Sequence, residues 1–394
     1  MSDATITLII IACVSILYIT ERHSVAVTTV LGMIIIVESL LDSGVAEKLG
    51  LLLFKFTGKS EKFFLVVVFV SAAVLSLFFT NAALVAMYMP LISSVCGSSH
   101  GNIRRKHIYL PLAMGGLIGG TGSLAGSTAP LLANNVLEET GAQTMGFFGT
   151  LPVASIMVAV VALCYWFFLY DLQVKWFDFE EATFELGVED YELDKKKAAI
   201  SLTVFLTCIV LFIIQPFDWE LGLIAVAGAV VLMVTGCVDG QHAMSNMQWS
   251  ALVTLGAALA VAKGFVKSGV GELIMDWLMV TLGPWVVNPI VLVTVFLVAG
   301  FVLSQFMSNG SLVSMLAAIG VPMAIETGCD PMPIALACVF GCSLAMATPV
   351  ATTTITMVQV AGYRFKDYFR IGGLVGLISL VTAWASIILL YGLV

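Results

Sequence analysis

The chain has 394 residues, of which 60% are hydrophobic and only 11% are charged, and its formal net charge is −8. A soluble domain of this length carries far fewer apolar residues, so the composition predicts a polytopic helical membrane protein. The short alternating strands that outer-membrane barrels require are missing from the sequence pattern. The eight cysteines form no metal-binding spacing, so we expect free thiols that pack as small hydrophobic side chains.

Long apolar runs predict two similar sets of helices. In the first half they predict helices over 4–20 and 24–41, a helical hairpin over 62–97, a broken helix over 107–137 and a helix over 150–170. In the second half they predict helices over 198–215, 219–237 and 248–266, a hairpin over 286–324, a broken helix over 333–360 and a last helix over 371–393. Each broken segment is longer than the ~20 residues that one crossing needs. Each also carries glycine, proline or hydroxyl residues at its centre.

Each predicted hairpin has a short polar stretch in the middle of its apolar run. The first stretch is Thr80-Asn81-Ala82-Ala83, and the second is Ser308-Asn309-Gly310-Ser311. A hydroxyl and an amide at membrane depth are costly without partners, and irregular backbone persists there only inside protein or beside a cavity. The stretches therefore predict re-entrant hairpins whose tips meet a polar site. Either stretch alone also fits an ordinary spanning helix with a polar packing contact, but the duplication favours the hairpins.

Matching landmarks indicate that the two halves are repeats. Four pairs recur in the same order at offsets of 221 to 228 residues: Leu31-Gly32 with Leu255-Gly256, Ser43-Gly44-Val45 with Ser268-Gly269-Val270, Asn81 with Asn309, and Gly126-Ser127 with Ala347-Thr348. An odd number of predicted crossings separates corresponding helices, so the repeats are expected to be inverted. The expected fold is all-α, with repeats over 1–170 and 198–394 joined by an acidic cytoplasmic linker over 171–197. Repeats with interrupted helices at matching positions are typical of secondary transporters.

The basic residues predict the orientation of the chain in the membrane. Of the 17 lysines and arginines, the predicted crossings place all but Arg22, Lys263 and Lys267 on one side. Because cytoplasmic loops carry the excess of Lys and Arg, that side is the cytoplasm. We therefore expect a protein of the cell membrane whose N-terminus is cytoplasmic and whose C-terminus is external.

Oxygen-bearing side chains recur at the same spacing around both tips. They are Ser76, Thr80 and Asn81 in the first hairpin, and Ser304, Ser308 and Asn309 in the second. By the repeat, the helix breaks over 120–128 and 347–349 lie opposite these tips. Hydroxyls, amides and backbone carbonyls suit a weakly held monovalent cation such as Na⁺, and the N-terminal ends of helices attract an anion. The sequence places no carboxylate near either tip, which argues against a proton relay.

These motifs resemble the divalent anion/sodium symporter family within the wider ion-transporter superfamily. That family carries a Ser-Asn-Thr motif at each hairpin tip and a broken helix that reads like Gly-Thr-Pro-Pro or Ala-Thr-Pro. Here the tips read Thr80-Asn81-Ala82 and Ser308-Asn309-Gly310, and the breaks contain Gly126-Ser127 and Ala347-Thr348-Pro349. The resemblance covers nearly the whole chain. It implies an elevator-type homodimer that couples Na⁺ to the symport of a small di- or tricarboxylate, or of a similar divalent anion.

The resemblance also implies ligands among the residues of this chain. Na⁺ would be held by Ser76, Thr80, Asn81 and Gly126 in the first half, and by Ser304, Met307, Ser308, Asn309 and Ala347 in the second. The substrate would be held by Thr80, Asn81, Ala82, Ser127, Thr128, Ser308, Asn309, Gly310, Thr348 and Pro349. Apart from Na⁺ as the coupling ion, we expect no cofactor. The chain departs from the family at Ala82 and Gly310, which lack the threonine hydroxyl that helps to hold substrate carboxylates. Ser311 and Thr128 are the nearest candidates to replace those hydroxyls.

Three other classes of membrane protein fit the sequence less well. An ion channel would show a continuous polar or charged pore-lining face, whereas the polar residues here concentrate at two breaks. An enzyme would need a nucleophile, an acid–base pair or a metal cluster, and the four histidines are scattered at predicted loop ends. A proton-coupled or exchange-type transporter or exporter of inorganic oxyanions, from the same superfamily, is the main alternative. Such transporters tend to carry an aspartate beside a hairpin motif, and neither Asn81 nor Asn309 has one.

Overall fold

The computed structural model describes residues 32, 35–36, 38–40, 42–45, 60–99, 102–179, 194–214, 221–238, 288–349 and 352–393. In this part of the chain every regular element is helical, which confirms the predicted all-α fold. The predicted helices over 4–20 and 248–266, most of the helix over 24–41, and the repeat landmarks at 255–256 and 268–270 lie outside the described residues.

The helices described in the first half follow the predicted elements closely. They are α1 (Glu61–Leu75), α2 (Asn81–Ser98), α3 (Arg105–Gly120), α4 (Thr128–Glu139), α5 (Leu151–Cys164) and α6 (Tyr170–Trp176), and a π-helical segment, Tyr165–Leu169, joins α5 to α6. The predicted hairpin corresponds to α1 and α2, and the predicted broken helix corresponds to α3 and α4. The helix expected over 150–170 continues to Trp176, so the first residues of the predicted linker are helical.

The second half shows the same series of hairpin, broken helix and final helix. Its helices are α7 (Lys195–Ile214), α8 (Leu221–Val234), α9 (Pro289–Ser304), α10 (Asn309–Glu326), α11 (Pro331–Ser343), α12 (Thr353–Met357), α13 (Phe365–Asp367) and α14 (Gly373–Leu390). A 3₁₀ segment, Val358–Ala361, follows α12, and a π-helical segment, Tyr368–Gly372, joins α13 to α14. The last helical stretch therefore begins at Phe365, before the predicted start at 371.

Helix ends coincide with the polar tips. Asn81 is the first residue of α2 and Asn309 is the first residue of α10, so each tip contains a helix start. The preceding helices begin at side-chain caps, because oxygens of Ser60 and Asn288 accept backbone N–H groups in the first turns of α1 and α9. Such caps satisfy donors that have no partner within the helix. The two interruptions predicted from the sequence are therefore present in the structure.

The chain forms two compact units, and each unit draws on both halves of the sequence. One unit contains Met1–Leu52 and Glu189–Gly256, and in it α7 packs on α8. The other unit contains Leu53–Val188 and Ala257–Val394. Both hairpins and both broken helices belong to this second unit, so all of the candidate site residues lie within it.

Within the second unit each hairpin packs on the broken helix that follows it. Helix α1 contacts α3, and α9 contacts α11. Their backbones approach closely, because a Cβ on Gly119 would lie 2.1 Å from the carbonyl oxygen of Ala73, and one on Gly341 would lie 2.5 Å from that of Leu297. Helix α4 contacts α10, and α12 contacts α2. The second part of each broken helix therefore lies against the hairpin of the other half.

Three helical stretches in the described part of the chain are long and apolar enough to cross a membrane: Leu151–Trp176, Asn309–Glu326 and Phe365–Leu390. Shorter apolar helices cover Asn81–Gly97, Gly222–Val234, Pro289–Ser304 and Pro331–Ser343. Large apolar side chains on two of the long stretches are exposed, as with Phe167 (70% exposed) and Leu389 (73% exposed). Exposed apolar surface of this kind is what lipid-facing helices require.

Tyr363 fastens the segment after α12 to the first turn of α3. Its hydroxyl donates to the carbonyl of Lys106 at 2.7 Å and accepts the N–H of Leu110 at 3.1 Å, so it is inserted between the two groups that an α-helix would pair directly. The ammonium of Lys106 donates to the carbonyls of Phe177, at 3.0 Å, and Phe179, at 2.6 Å. Tyr363 therefore joins the start of the first broken helix to the segment that follows the second broken helix. Lys106 joins the same start to the segment that follows α6.

Candidate transport site

The first tip is closed by a hydrogen bond between its two ends. Ser76, at the end of α1, is fully buried, and its hydroxyl donates to Oδ1 of Asn81 at 2.6 Å. The last residue of α3, Gly120, lies directly against this pair. A Cβ on Gly120 would lie 2.2 Å from Asn81 Oδ1 and 3.1 Å from Ser76 Oγ, so any larger residue would displace the Asn81 side chain or the backbone beside it. Asn81, Ser76 and the end of α3 therefore form one cluster.

Gly126, on the other side of the first helix break, reaches the same cluster. A Cβ there would lie 2.1 Å from the carbonyl oxygen of Ser76 and 2.7 Å from that of Gly120. The structure thus brings together three residues that the family resemblance assigned to the first cation site: Ser76, Asn81 and Gly126. The oxygens that gather here belong to a hydroxyl, an amide and backbone carbonyls. Neutral oxygens of this kind are suitable ligands for a hard monovalent cation.

Ser123 holds the first break against the first tip. Its hydroxyl donates to the carbonyl of Leu77 in the tip, and it accepts the N–H groups of Ala125 at 3.2 Å and Gly126 at 3.0 Å. Backbone groups in an interrupted helix need such partners, because the helix no longer supplies them. Ser123 lies within the predicted break but was not among the predicted site residues.

Gln305 forms most of the corresponding contacts in the second half. Its side-chain nitrogen donates to the carbonyls of Phe301, at 3.0 Å, and Leu344, at 3.1 Å, and lies 3.4 Å from Ser304 Oγ. Its side-chain oxygen accepts the N–H of Ala347 at 3.0 Å. Gln305 was not among the predicted site residues. The available signal was an amide inside an apolar run, since a buried amide is almost always hydrogen-bonded.

The second break is also joined to the second tip through Thr348. Its hydroxyl donates to the backbone carbonyl of Gln305 at 2.7 Å, much as Ser123 donates to Leu77 in the first half. Leu77 and Gln305 occupy equivalent places, because each precedes the asparagine of its tip by four residues. Ser304, Ala347 and Thr348, all predicted site residues, are therefore connected through Gln305.

Two buried polar atoms near the tips have no hydrogen-bond partner among the described residues. They are Oγ of Ser127 and Oδ1 of Asn309. Ser127 precedes the first turn of α4 and makes no cap hydrogen bond, and Asn309 is the first residue of α10. Because α4 packs on α10, both atoms belong to elements in contact. Polar atoms buried without partners are costly, so such atoms are expected where a ligand binds.

The remaining predicted site residues differ in exposure. Thr80, Ala82, Thr128 and Pro349 are half-buried, and Gly310 is buried. At the second tip the side chains of Met307 and Ser308 are exposed.

Comparison with known proteins identifies the family. A family model described as a citrate transporter, CitMHS, matches residues 2–341. An uncharacterised transporter of Methanocaldococcus jannaschii is 24% identical over 347 residues, which are 85% of this chain and 74% of the relative. The sodium-dependent dicarboxylate transporter SdcS of Staphylococcus aureus (strain USA300) is 23% identical over 371 residues, which are 85% of this chain and 70% of the relative.

Two solved transporter structures share the fold. The YdaH transporter of Alcanivorax borkumensis superposes with a TM-score of 0.66 at 16% identity and covers 94% of this chain and 85% of its own. MtrF of Neisseria gonorrhoeae, described as an antimetabolite efflux pump, superposes with a TM-score of 0.59 at 16% identity and covers 92% of this chain and 80% of its own. These likenesses support a helical transporter fold.

Because the family model spans most of the sequence, the chain belongs to the CitMHS citrate transporter family and is a membrane transporter, not an enzyme.

Proposed function

We propose that the protein is a secondary active transporter that couples Na⁺ to the symport of a small di- or tricarboxylate, or of a similar divalent anion. The observation that carries this proposal is the cluster at the first tip. There Ser76, Asn81, Gly120 and Gly126 bring neutral oxygens to one place. The curated relative SdcS is named as a sodium-dependent dicarboxylate transporter, which supports the same assignment.

The first Na⁺ would be held by the cluster itself. Its ligands would be Ser76, Thr80, Asn81 and the carbonyl of Gly126. The hydroxyl of Ser76 is the hydrogen-bond donor to Asn81 Oδ1, so the lone pairs of the Ser76 oxygen are available to a cation. A hard monovalent cation such as Na⁺ prefers neutral oxygen ligands of this kind over thiolate or imidazole ligands.

The second Na⁺ would be held by the corresponding residues of the second half. Ser304 is fully buried, and its hydroxyl donates to the carbonyl of Phe301 at 3.0 Å, which leaves lone pairs of its oxygen for a cation. Asn309 Oδ1 is buried and has no partner among the described residues, so it is a further candidate ligand. The carbonyls of Met307 and Ala347 and the hydroxyl of Ser308 complete the proposed set.

The anion would be held between the two halves of the second unit. The Ser127 hydroxyl has no acceptor among the described residues, and it lies at the N-terminal end of α4, where the helix dipole favours negative charge. The side-chain nitrogens of Asn81 and Asn309 would supply further donors, and Thr348 would lie beside the anion with its hydroxyl hydrogen-bonded to the Gln305 carbonyl. Cations that bind first would reduce the cost of moving an anion into an apolar interior, which gives a physical reason for coupling.

The movement that we propose is of the elevator type, in a homodimer. All of the proposed ligands belong to the second compact unit, so one body could carry them together. In this proposal the protein lies in the cell membrane, with a cytoplasmic N-terminus and an external C-terminus. The family resemblance supports both the movement and the homodimer.

Uptake by proteoliposomes tests the function. Purified protein would be reconstituted and supplied with radiolabelled citrate, succinate, sulfate or phosphate, under either an inward Na⁺ gradient or a pH gradient in choline buffer. We expect uptake of a carboxylate only with Na⁺, and none in liposomes that contain the Asn81→Ala variant. Uptake driven equally well by the pH gradient in choline would contradict Na⁺ coupling and favour a proton-coupled or exchange-type transporter of oxyanions.

A further inference from the structure

The two tips are joined to their helix breaks by different groups. In the first half the hydroxyl of Ser123, which belongs to the break, bonds both the tip carbonyl of Leu77 and the N–H groups of its own segment. In the second half the hydroxyl of Thr348 bonds the tip carbonyl of Gln305. The N–H of Ala347 is instead bound by a side chain of the tip, that of Gln305. Among the described residues, the second half therefore has a connection that the first half lacks.

The carboxamide of Gln305 bridges three parts of the second half. Its nitrogen donates to a carbonyl of α9, at Phe301, and to a carbonyl just after α11, at Leu344. Its oxygen accepts the N–H of Ala347 within the break. Gln305 is only 8% exposed and Leu344 is 1% exposed, so these bonds are shielded from water. Shielded hydrogen bonds hold backbone more firmly than exposed ones do.

The groups that Gln305 holds adjoin the proposed second cation site. Its nitrogen lies 3.4 Å from Ser304 Oγ, and the N–H that it fixes belongs to Ala347, whose carbonyl is a proposed ligand. The backbone between Leu344 and Ala347 is irregular, with the N–H of Met346 donating to the carbonyl of Leu344 at 2.9 Å. Such a segment has no helical hydrogen bonds to set its carbonyl directions, so side-chain contacts must set them.

We infer that Gln305 is a positioning residue, which holds the second helix break against the second tip and thereby orders the oxygens of the second cation site. This inference rests on the proposed function, because it assigns those oxygens to Na⁺. It also implies a functional difference between the halves. The place of Gln305 is taken in the first half by Leu77, whose apolar side chain cannot form such bonds.

The test compares Gln305→Met with Gln173→Met. Methionine keeps the volume of glutamine and removes its amide. Gln173 is the matched control, since it is fully buried in the same unit and its side-chain nitrogen donates to a single backbone carbonyl, that of His107, at 2.6 Å. Gln305→Leu, which copies the first half, is a second variant in case the first does not fold.

The first readout is Na⁺-dependent uptake in proteoliposomes. We expect Gln305→Met to raise the Na⁺ concentration for half-maximal uptake about five- to tenfold, the effect of losing one or two buried hydrogen bonds. The substrate KM measured at saturating Na⁺ should stay within about twofold of wild type, because the lost bonds are made to the cation side of the site. Gln173→Met should leave both values unchanged. An equal shift in both variants, or no shift in Gln305→Met and Gln305→Leu, would overturn the inference.

The second readout requires no transport. Met346 is fully buried beside the break, so a Met346→Cys thiol in a background without native cysteines should react slowly with a maleimide. We expect Gln305→Met to speed this labelling severalfold in choline buffer, and Gln173→Met to leave it unchanged. If wild-type uptake did not depend on Na⁺, the proposed function would be wrong. The labelling rate would still decide whether Gln305 fixes the second helix break against the second tip. Labelling at the wild-type rate in both Gln305 variants would show that it does not.

Discussion

The hydroxyl of Ser76 donates to Oδ1 of Asn81 at 2.6 Å and thereby joins the end of α1 to the start of α2. This bond keeps two neutral oxygens side by side at the tip. Because the Ser76 hydroxyl is the donor in this hydrogen bond, the lone pairs of the hydroxyl oxygen remain available to a cation. The bond therefore sets both the shape of the tip and the direction of its oxygens.

The Ser76→Ala variant tests this arrangement. It removes one proposed cation ligand, so we expect the Na⁺ concentration for half-maximal uptake to rise about five- to tenfold, as for the loss of one buried polar contact. By linkage, the apparent substrate affinity at a fixed, limiting Na⁺ concentration should also fall. Ser155→Ala is the matched control, since the hydroxyl of Ser155 is exposed and, within the described part of the chain, donates only to the Pro152 carbonyl, at 2.9 Å. Equal Na⁺ requirements in the two variants would argue against a ligand role for Ser76.

The asparagines of both tips should be essential for transport. Asn81→Ala and Asn309→Ala each remove an amide that the proposed site uses for the cation and the anion. We therefore expect each variant to insert and remain monodisperse in detergent, with uptake reduced to background. Size-exclusion chromatography and proteoliposome uptake measure the two properties. Transport at the wild-type rate by either variant would remove the corresponding half from the proposed site.

A side chain at position 120 should block the first tip. In Gly120→Ala the new Cβ would be 2.2 Å from Asn81 Oδ1, well below any normal contact, so the Asn81 side chain, the tip or the end of α3 must shift. We expect loss of Na⁺-dependent uptake in a protein that still folds. Gly97→Ala is the control, because a Cβ at Gly97 in α2 meets nothing within 4 Å. If the two variants transported equally well, the close approach of α3 to the tip would be unimportant.

The inserted hydroxyl of Tyr363 should contribute to stability rather than to ion binding. Tyr363→Phe removes its bonds to Lys106 and Leu110, and we expect the free energy of unfolding to fall by about 1–3 kcal/mol. Thermal unfolding in detergent measures the change, with Tyr391→Phe near the end of the chain as the control. The Na⁺ requirement of the folded fraction should be that of wild type. An altered Na⁺ requirement with unchanged stability would show that Tyr363 acts on the site instead.

The orientation in the membrane can be checked by labelling. The excess of basic residues on one side predicts that residues 104–106 lie in the cytoplasm and that the C-terminus lies outside. In a cysteine-free background, Arg105→Cys should react with an impermeant maleimide only after the cells are opened. A cysteine appended after Val394 should react in intact cells. Labelling of the Arg105→Cys thiol from outside would reverse the predicted topology.

The sequence by itself determined the helical class, the positions of the interruptions and the polar residues at the tips. These features are local: apolar runs predict helices, and a hydroxyl followed by an amide inside such a run marks where the helix must stop. The ends of the first hairpin, at Glu61 and Ser98, lie within one residue of the predicted span over 62–97. The assignment of Na⁺ and of an anion to these tips stays a prediction.

Only the tertiary structure decided which polar groups meet. Gln305 binds Ala347, Ser123 binds Leu77, and Tyr363 is inserted beside Lys106, and each of these pairs is distant in sequence. Such partners depend on how closely two helices cross and on how the backbone turns after each helix ends. Neither property is encoded in the spacing of residues along one segment, because both arise from packing between segments. The same packing left Ser127 Oγ and Asn309 Oδ1 buried without partners among the described residues, a result that depends on how the helices pack and not on the local sequence.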